Sequence, residues 1–190
     1  MKWFKRIVLI LFIAIVTVAI VVIADGYGLY KDVLEEVSLE NKVKEVRKDE
    51  DFVSLTSLPT KYQQAVIAVE DHRFKEHGAI DLIAIGRAIW VNIIHFELRE
   101  GGSTITQQVA KNLYFIEDNS NPIKRKIAEI FMAFKLESMY SKDDILEMFL
   151  YDDKFNEFTK EKDIYDLKRE FKVLYEDQNI LIVDKPVGLL

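Results

Sequence analysis

Gly101-Gly102-Ser103-Thr104-Ile105-Thr106-Gln107-Gln108-Val109-Ala110-Lys111-Asn112 is a glycine break followed at once by a helix start. Two consecutive glycines interrupt whatever precedes them, and Ser103 or Thr104 supplies the hydroxyl that caps a helix to about Leu113. Toward the N-terminus, Asp81 caps a helix to about His95, on which Ile83, Ile85, Ala88, Ile89 and Ile93 offer a broad surface for burial. Pro59 opens a further helical stretch, Tyr62 to Val69, with Ala65, Val66 and Val69 on one face. Toward the C-terminus, Asn119 to Pro122 is a loop and Lys124 to Met139 is helical. Ser141 with Asp144 then forms a capping box for Asp143 to Leu150. Residues 55–150 therefore read as helix and turn throughout.

The 190 residues, 49% hydrophobic and 31% charged, suffice for one domain of ordinary size beside a membrane segment, which excludes a large multidomain enzyme. A net charge of −6, with Lys124-Arg125-Lys126 the longest basic run after residue 6, argues against nucleic acid as the main partner. The absence of cysteine excludes disulfides, zinc thiolate sites and a thiol nucleophile. From Ile7 to Ala24 every residue but Thr17 is apolar. At about 1.5 Å per residue that run nearly matches the ~30 Å hydrocarbon core of a bilayer. Lys2, Lys5 and Arg6 precede it and Asp25 follows it, so the positive-inside bias predicts a cytoplasmic N-terminus and an external domain, with Trp3 and Phe4 at the interface. A cleaved signal peptide is the alternative; the length of the apolar run favours an anchor.

The segments that follow divide the chain into a tip and anchor (1–24), a charged stalk (25–54), a helical domain (55–150), a charged helix-compatible linker (151–172) and a tail (173–190). The stalk carries nine acidic and five basic residues between Asp25 and Asp51 and reads as a spacer, partly helical through Asp32 to Lys48. In the tail, Val173 to Tyr175 and Ile180 to Val183 are β-type runs in a hairpin-like pattern, marginal by itself. The expected fold class is mainly α, with a single transmembrane helix and a small C-terminal β-hairpin.

Three clusters carry chemistry. In Glu70-Asp71-His72-Arg73-Phe74-Lys75-Glu76-His77-Gly78-Ala79-Ile80-Asp81, two acids end an apolar helix and an aromatic and a histidine follow closely; a solvated helix end with surface ion pairs explains such a cluster equally well. Thr104, Gln108 and Lys111 fall at i, i+4 and i+7, so one helix face presents a hydroxyl, an amide and an ammonium suited to a phosphate or a sugar, or simply to solvent. Arg125 and Glu129 stand one turn apart after Lys124, the spacing of an ordinary helical ion pair.

In this order the clusters resemble the motifs of the glycosyltransferase domain of bacterial peptidoglycan polymerases, the class A penicillin-binding proteins and monofunctional biosynthetic transglycosylases of glycosyltransferase family 51. Glu70-Asp71-x-x-Phe74-x-x-His77 resembles the first motif, Gly101 to Asn112 the second and Arg125-Lys126-x-x-Glu129 the third. Lys135-Leu136-Glu137-x-x-Tyr140-Ser141-Lys142-x-x-Ile145-Leu146-Glu147 resembles the fourth. The likeness covers roughly Leu55 to Leu150. It implies a lysozyme-like helical fold at the outer face of the bacterial cytoplasmic membrane, polymerising lipid II, a disaccharide-peptide on undecaprenyl pyrophosphate, into glycan strands. The partners it implies are lipid II, the growing glycan strand, the membrane and other cell-wall synthesis proteins. Glu70 would be the general base and Glu129 the second acid. Lys111, Arg125 and Lys126 would neutralise the departing pyrophosphate, while Asp71, Phe74, His77, Thr104 and Gln108 would shape the substrate cleft. No cofactor is required by the resemblance, and a divalent cation (Mg or Mn) helped by Glu129 is an option it leaves open. A non-catalytic remnant that binds lipid II or cell-wall proteins and a lysozyme-like glycan hydrolase are the competing readings. No Ser-x-x-Lys or Lys-Thr-Gly occurs, which excludes a transpeptidase site in these residues.

The sequence departs from the family pattern at three places. Gly78 follows His77 directly, the loop before Arg125 is about two residues longer than usual, and after Leu150 the expected asparagine, glycine-rich stretch and further helices are replaced. The helical domain is therefore expected to be incomplete, with Ile83, Ile89, Phe131 and Phe134 left uncovered. Val173 to Leu190 resembles the opening of the RluA-type pseudouridine synthases, without that family's catalytic arginine-leucine-aspartate motif. The junction implies a rearranged or misassembled reading frame.

Overall fold

The computed structural model describes residues 2–50, 52–95, 101–151, 172–176 and 181–184. Seven α-helices account for most of them: α1 (Lys2–Glu36), α2 (Leu39–Lys48), α3 (Thr60–Glu70), α4 (Leu82–His95), α5 (Ile105–Tyr114), α6 (Pro122–Met139) and α7 (Lys142–Leu150), with a short 3-10 turn at Leu55–Ser57. The mainly α expectation holds, and the helix starts are set by local chemistry. Asp81 Oδ1 accepts from the N–H groups of Ile83 and Ala84 at 2.8 and 3.1 Å. Thr104, of the two capping candidates, accepts from Gln107 N. Ser141 and Asp144 form the reciprocal box. Helix α6 starts two residues earlier than its periodicity suggests, because Asn121 caps it and Pro122 fits the first turn, where no N–H partner is needed.

Helix α5 is the centre. Ile105, Val109 and Ala110 are buried, and the helix packs on α6 and α7, whose Ala128, Met132, Leu136, Ile145 and Leu146 complete the core with Phe74 and Phe115. The fourth motif fastens these helices together: Glu137 Oε1 accepts from Thr106 of α5 and from Lys142 at the start of α7, and the Lys142 ammonium lies 4.3 Å from the Phe74 ring centroid.

The stalk reading of residues 25–54 is corrected. The apolar N-terminal helix, long enough to cross a membrane, continues unbroken to Glu36, and its last turns pack along α6. Asp25 pairs with Lys124 at 2.9 Å, and Tyr27 and Tyr30 hold Phe131 between ring contacts of 5.0 and 5.8 Å. Leu39 and Val43 of α2 are 1% and 2% exposed. Arg47 reaches Asp144 and Glu147 of α7, and Glu147 Oε1 also accepts from Leu55 N at 2.9 Å. The charges of this segment lie on its outer face and in these pairs; Leu39 and Val43 enter the core and Leu29, Tyr30, Val33 and Leu34 pack against it, while Val53 stays exposed.

Other burial expectations are also corrected. Val69 is 80% exposed, so Val66, not Val69, anchors α3. Ile83, Ile89 and Phe134 are exposed, in line with the expectation that they are left uncovered, whereas Phe131 is covered by the α1 tyrosines; of the α4 residues only Ala88 is buried, and Ile93 also faces outward. The tail forms an antiparallel pair, β1 (Lys172–Glu176) and β2 (Leu181–Asp184), with a bulge between Val173 and Tyr175. Residues 152–171, 177–180 and 185–190, which hold nearly all of the linker and part of the pseudouridine-synthase-like stretch, lie outside the described residues.

The α1–α6 contact is testable at two glycines. A Cβ on Gly26 would meet Ile127 Cβ and Cγ2 at 2.5 Å, whereas one on Gly28 meets nothing within 4 Å. Gly26→Ala is expected to lower stability by about 1–3 kcal/mol through overpacking. Gly28→Ala should raise it by up to ~1 kcal/mol through helix propensity. Thermal unfolding of the detergent-solubilised chain separates them, and equal effects would mean that α1 does not pack here.

Candidate functional site

A cleft of about 420 Å³ opens between α5 and the start of α6, lined by Ser103, Gln108, Lys111, Asn112, Arg125, Lys126 and Glu129 among others. Helical periodicity delivers these groups: Gln108, Lys111 and Asn112 share one face of α5, and Arg125, Lys126 and Glu129 share one face of α6. Glu129 is 4% exposed, and two cations compensate its burial. Lys126 Nζ stands 3.0 Å from Oε2 and Arg125 Nε 3.8 Å from Oε1. An isolated buried carboxylate would be costly, so the triad stands or falls together. Lys126 Nζ also donates to Ser103 Oγ at 2.8 Å, which ties the glycine turn to α6, and Arg125 Nη1 donates to the Asp118 carbonyl at 2.9 Å. Beyond the one acid, the cleft presents a net positive lining in a walled recess, the arrangement that binds phosphoryl oxygens.

Glu70 ends α3 at the rim of an adjoining cavity of about 210 Å³ that shares Ser103 with the cleft. Its Oε2 accepts from Gln108 Nε2 at 3.1 Å. Gln108 therefore lines the cation cleft and orients the exposed carboxylate at once. Glu129, Gln108, Lys111, Arg125 and Lys126 thus line the cleft, and Glu70 meets its edge through Gln108.

Asp71, Phe74, His77 and Thr104 occupy a different layer. Asp71 is buried, its Oδ1 2.8 Å from His77 Nε2 and its Oδ2 accepting from Ile105 N at 3.1 Å. His77 Nδ1 faces the Gly78 carbonyl at 2.7 Å. Both ring nitrogens thus face oxygen atoms. Thr104, 1% exposed, donates to the Ala79 carbonyl at 2.9 Å, and Phe74 is wholly buried. These four groups hold the loop 71–81 against the start of α5; they support the cleft from beneath.

Three cleft residues escaped the sequence reading. Ser103 was legible only as an alternative cap, Gln107 is largely buried at the cleft wall, and Asn112, one turn beyond Gln108, extends the same polar face. Glu129 and the group Asp71, His77 and Asp81, whose Asp81 Oδ2 is buried without a hydrogen-bond partner, are the metal candidates among the described residues. Glu129 already has a side-chain cation at each oxygen. Asp71, His77 and Asp81 offer ligand atoms within 4.8 Å of one another, yet both Asp71 oxygens and both His77 nitrogens are engaged and Arg73 Nη1 lies 3.8 Å from Asp81 Oδ1.

Two carboxyls carry shifted acidities. Burial raises the pKa of Asp81, but the N–H groups of Ala84 and Ile83 and the charges of Arg73 and His77 outweigh it and hold the pKa below its ordinary value. The Ser141 hydroxyl, against a smaller effect of burial, and then Arg47 do the same for Asp144.

Among known proteins, the family model described as Transglycosylase matches residues 36–175, a span wider at both ends than the motifs themselves. Penicillin-binding protein 1F of Bacillus subtilis is 47% identical over 98 residues, 52% of this chain and 13% of that protein. Penicillin-binding protein 1A of Rickettsia bellii is 38% identical over 120 residues, 62% of this chain and 14% of that protein. Monofunctional glycosyltransferase of Staphylococcus aureus is 37% identical over 138 residues, 70% of this chain and 50% of that protein. The chain spans half the length of the last and about an eighth of the penicillin-binding proteins.

Because Asp81 and Asp144 are more acidic folded than unfolded, their contribution is complete above the unfolded value near 4 and is lost as pH falls through the lower folded values. The chemical-denaturation midpoint is therefore expected to fall as pH drops below about 4, and Asp81→Asn with Asp144→Asn to flatten that fall. An unchanged acid limb in the double variant would refute the assignment.

Proposed function

The chain belongs to the transglycosylase family, and from that premise we propose that it is a peptidoglycan glycosyltransferase, polymerising lipid II with inversion and release of undecaprenyl pyrophosphate. The observation that carries the reading is the placement of a solvent-facing carboxylate, Glu70, beside a recess walled by Lys111, Arg125 and Lys126. The printed names of the relatives support it, since one is a glycosyltransferase and the others are penicillin-binding proteins.

In this scheme the donor's pyrophosphate lies against the cations and its anomeric carbon faces Glu70. The Glu70 carboxylate takes the proton of the acceptor's 4-hydroxyl as that oxygen bonds to the anomeric carbon. The bond to the pyrophosphate oxygen breaks on the opposite side, as inversion requires, and the departing charge meets Lys111, Arg125 and Lys126. An ordinary glutamate is ionised at neutral pH, so the base needs no special environment. Glu129 sets the positions of Arg125 and Lys126 by pairing with both. The scheme is written with protein side chains alone.

Membrane geometry favours the same reading. Asp25, the first polar residue after the apolar run, pairs with Lys124, the neighbour of Arg125 and Lys126. The cation cleft thus stands at the height where the apolar helix leaves the hydrocarbon, which is where a lipid-borne pyrophosphate resides. With Lys2, Lys5 and Arg6 inside, the domain lies on the outer face of a bacterial cytoplasmic membrane and meets lipid II and the growing strand there. Other cell-wall synthesis proteins are the further partners of this reading, and the pseudouridine-synthase-like tail has no part in it.

Glu70→Gln is expected to lower glycan formation from labelled lipid II by about 10²–10⁴-fold while leaving lipid II binding within about twofold. Electrophoresis of the glycan and a binding titration read the two quantities. Unchanged polymerisation would remove Glu70 from the role, binding without turnover by the unsubstituted chain would favour the remnant, and release of short saccharides from preformed glycan would favour the hydrolase.

A further inference from the structure

The cations of the cleft are not held alike. Lys126 Nζ has two short partners, Ser103 Oγ at 2.8 Å and Glu129 Oε2 at 3.0 Å, which fix it from both walls. Arg125 Nε stands 3.8 Å from Glu129 Oε1, a Coulombic contact beyond hydrogen-bond length that locates the guanidinium without setting its plane. The plane is set from the loop between α5 and α6, where Nη1 donates to the Asp118 carbonyl at 2.9 Å. That carbonyl is held in turn. Asp118 Oδ1 accepts from Ser120 N at 2.6 Å, closing a turn over the next two residues, and Asp118 N donates to the carbonyl of the wholly buried Phe115. This is the loop that is about two residues longer than the family pattern.

We propose that Asp118 is a positioning residue for pyrophosphate binding: its side chain locks the loop so that its main-chain carbonyl turns the Arg125 guanidinium toward the phosphoryl oxygens. The proposal rests on the glycosyltransferase reading, which puts a pyrophosphate in this cleft. A guanidinium carries five N–H groups in one plane, and it grips two phosphoryl oxygens only when that plane faces them. Fixing one N–H on Asp118 orders the others before the ligand arrives, which removes part of the ordering cost of binding. An ammonium has no plane to set, so Lys111 and Lys126 need no such device. The role runs against simple electrostatics. Asp118 is close enough to act on the charge of Lys124, the neighbour of Arg125, and a carboxylate there repels an anion in the adjoining cleft. What the acid contributes is therefore geometry.

Charge and geometry can be separated at this one position. Asp118→Asn keeps an oxygen for Ser120 N and loses the charge, Asp118→Ala loses both, and Asp118→Glu keeps the charge but is too long for the turn. A short-chain prenyl pyrophosphate is titrated into the full detergent-solubilised chain. Asp118→Ala and Asp118→Glu should each bind it about threefold to tenfold more weakly, although the first removes an anion-repelling group, and Asp118→Asn should bind it at least as tightly as the unsubstituted chain. In an Arg125→Lys background, Asp118→Ala should change binding by less than about twofold, because no plane is left to turn. Equal melting temperatures of the three variants separate positioning from loss of fold, and a variant that melts early leaves the comparison to the other two. If Asp118→Ala and Asp118→Glu bind as tightly as Asp118→Asn, or if Asp118→Ala weakens binding equally in both backgrounds, the proposal is overturned and the reaction scheme stands. If the unsubstituted chain does not bind the pyrophosphate, scheme and proposal fall together.

Discussion

The Asp71 carboxylate is the constraint on which the site depends. One oxygen engages His77 and the other receives the first N–H of α5, so a single buried group joins the end of α3 to the start of the helix that carries Gln108 and Lys111. Glu70 is its neighbour in sequence, and its 3.1 Å contact with Gln108 is the exposed counterpart of that buried joint. Moving α3 by a turn or α5 by a residue would leave a buried charge without its partners, a penalty of several kcal/mol. A reactive carboxylate on the surface is thereby positioned by an inert one beneath it.

This two-layer arrangement explains why a motif of short spacing needs so many polar residues. Glu70 of the first motif is exposed at the opening, while Asp71, Phe74 and His77 are largely enclosed supports. The second motif divides similarly: Thr104, Thr106 and Gln107 are buried and hydrogen-bonded to the loop 71–81 or to α6, whereas Gln108, Lys111 and Asn112 meet the cleft. In the third, Glu129 is buried and its two cations reach the recess. The reacting groups are few because each needs a buried polar partner to fix it, and buried polar groups are tolerated only when satisfied.

Helix order and caps could be read from the letters because they depend on interactions within four residues, as at Asp81, Thr104 and Ser141. The cleft's membership was legible for the same reason: i, i+3 and i+4 spacing puts Gln108 with Lys111 and Arg125 with Glu129. What stayed hidden is set by contacts between distant segments. Nothing local says that Leu39 and Val43, amid nine acids and five bases, enter the core, or that Val69 faces solvent while Val66 does not. Nor does spacing tell a substrate-facing His77 from one enclosed by Asp71 and Gly78. The apolar face of α4 shows the converse: a pattern suited to burial remains open at Ile83, Ile89 and Ile93.

The junction of α1 with α6 connects the anchor to the chemistry. A flexible stalk would let the cleft sample many heights above the bilayer, and only a fraction of those would meet a headgroup-bound pyrophosphate. A continuous helix locked through Asp25–Lys124, Gly26–Ile127 and the Tyr27–Phe131–Tyr30 ring cluster removes that freedom. The same helix whose first turn presents Arg125 and Lys126 to the recess is the one the anchor grips, so the height of the cations is set by where the apolar run ends. The cost of ordering the 25–36 segment is offset by its packing against α6. Under the proposed function, a substrate diffusing in two dimensions would meet a site already at its own level, which raises its effective concentration there without adding any contact to the substrate.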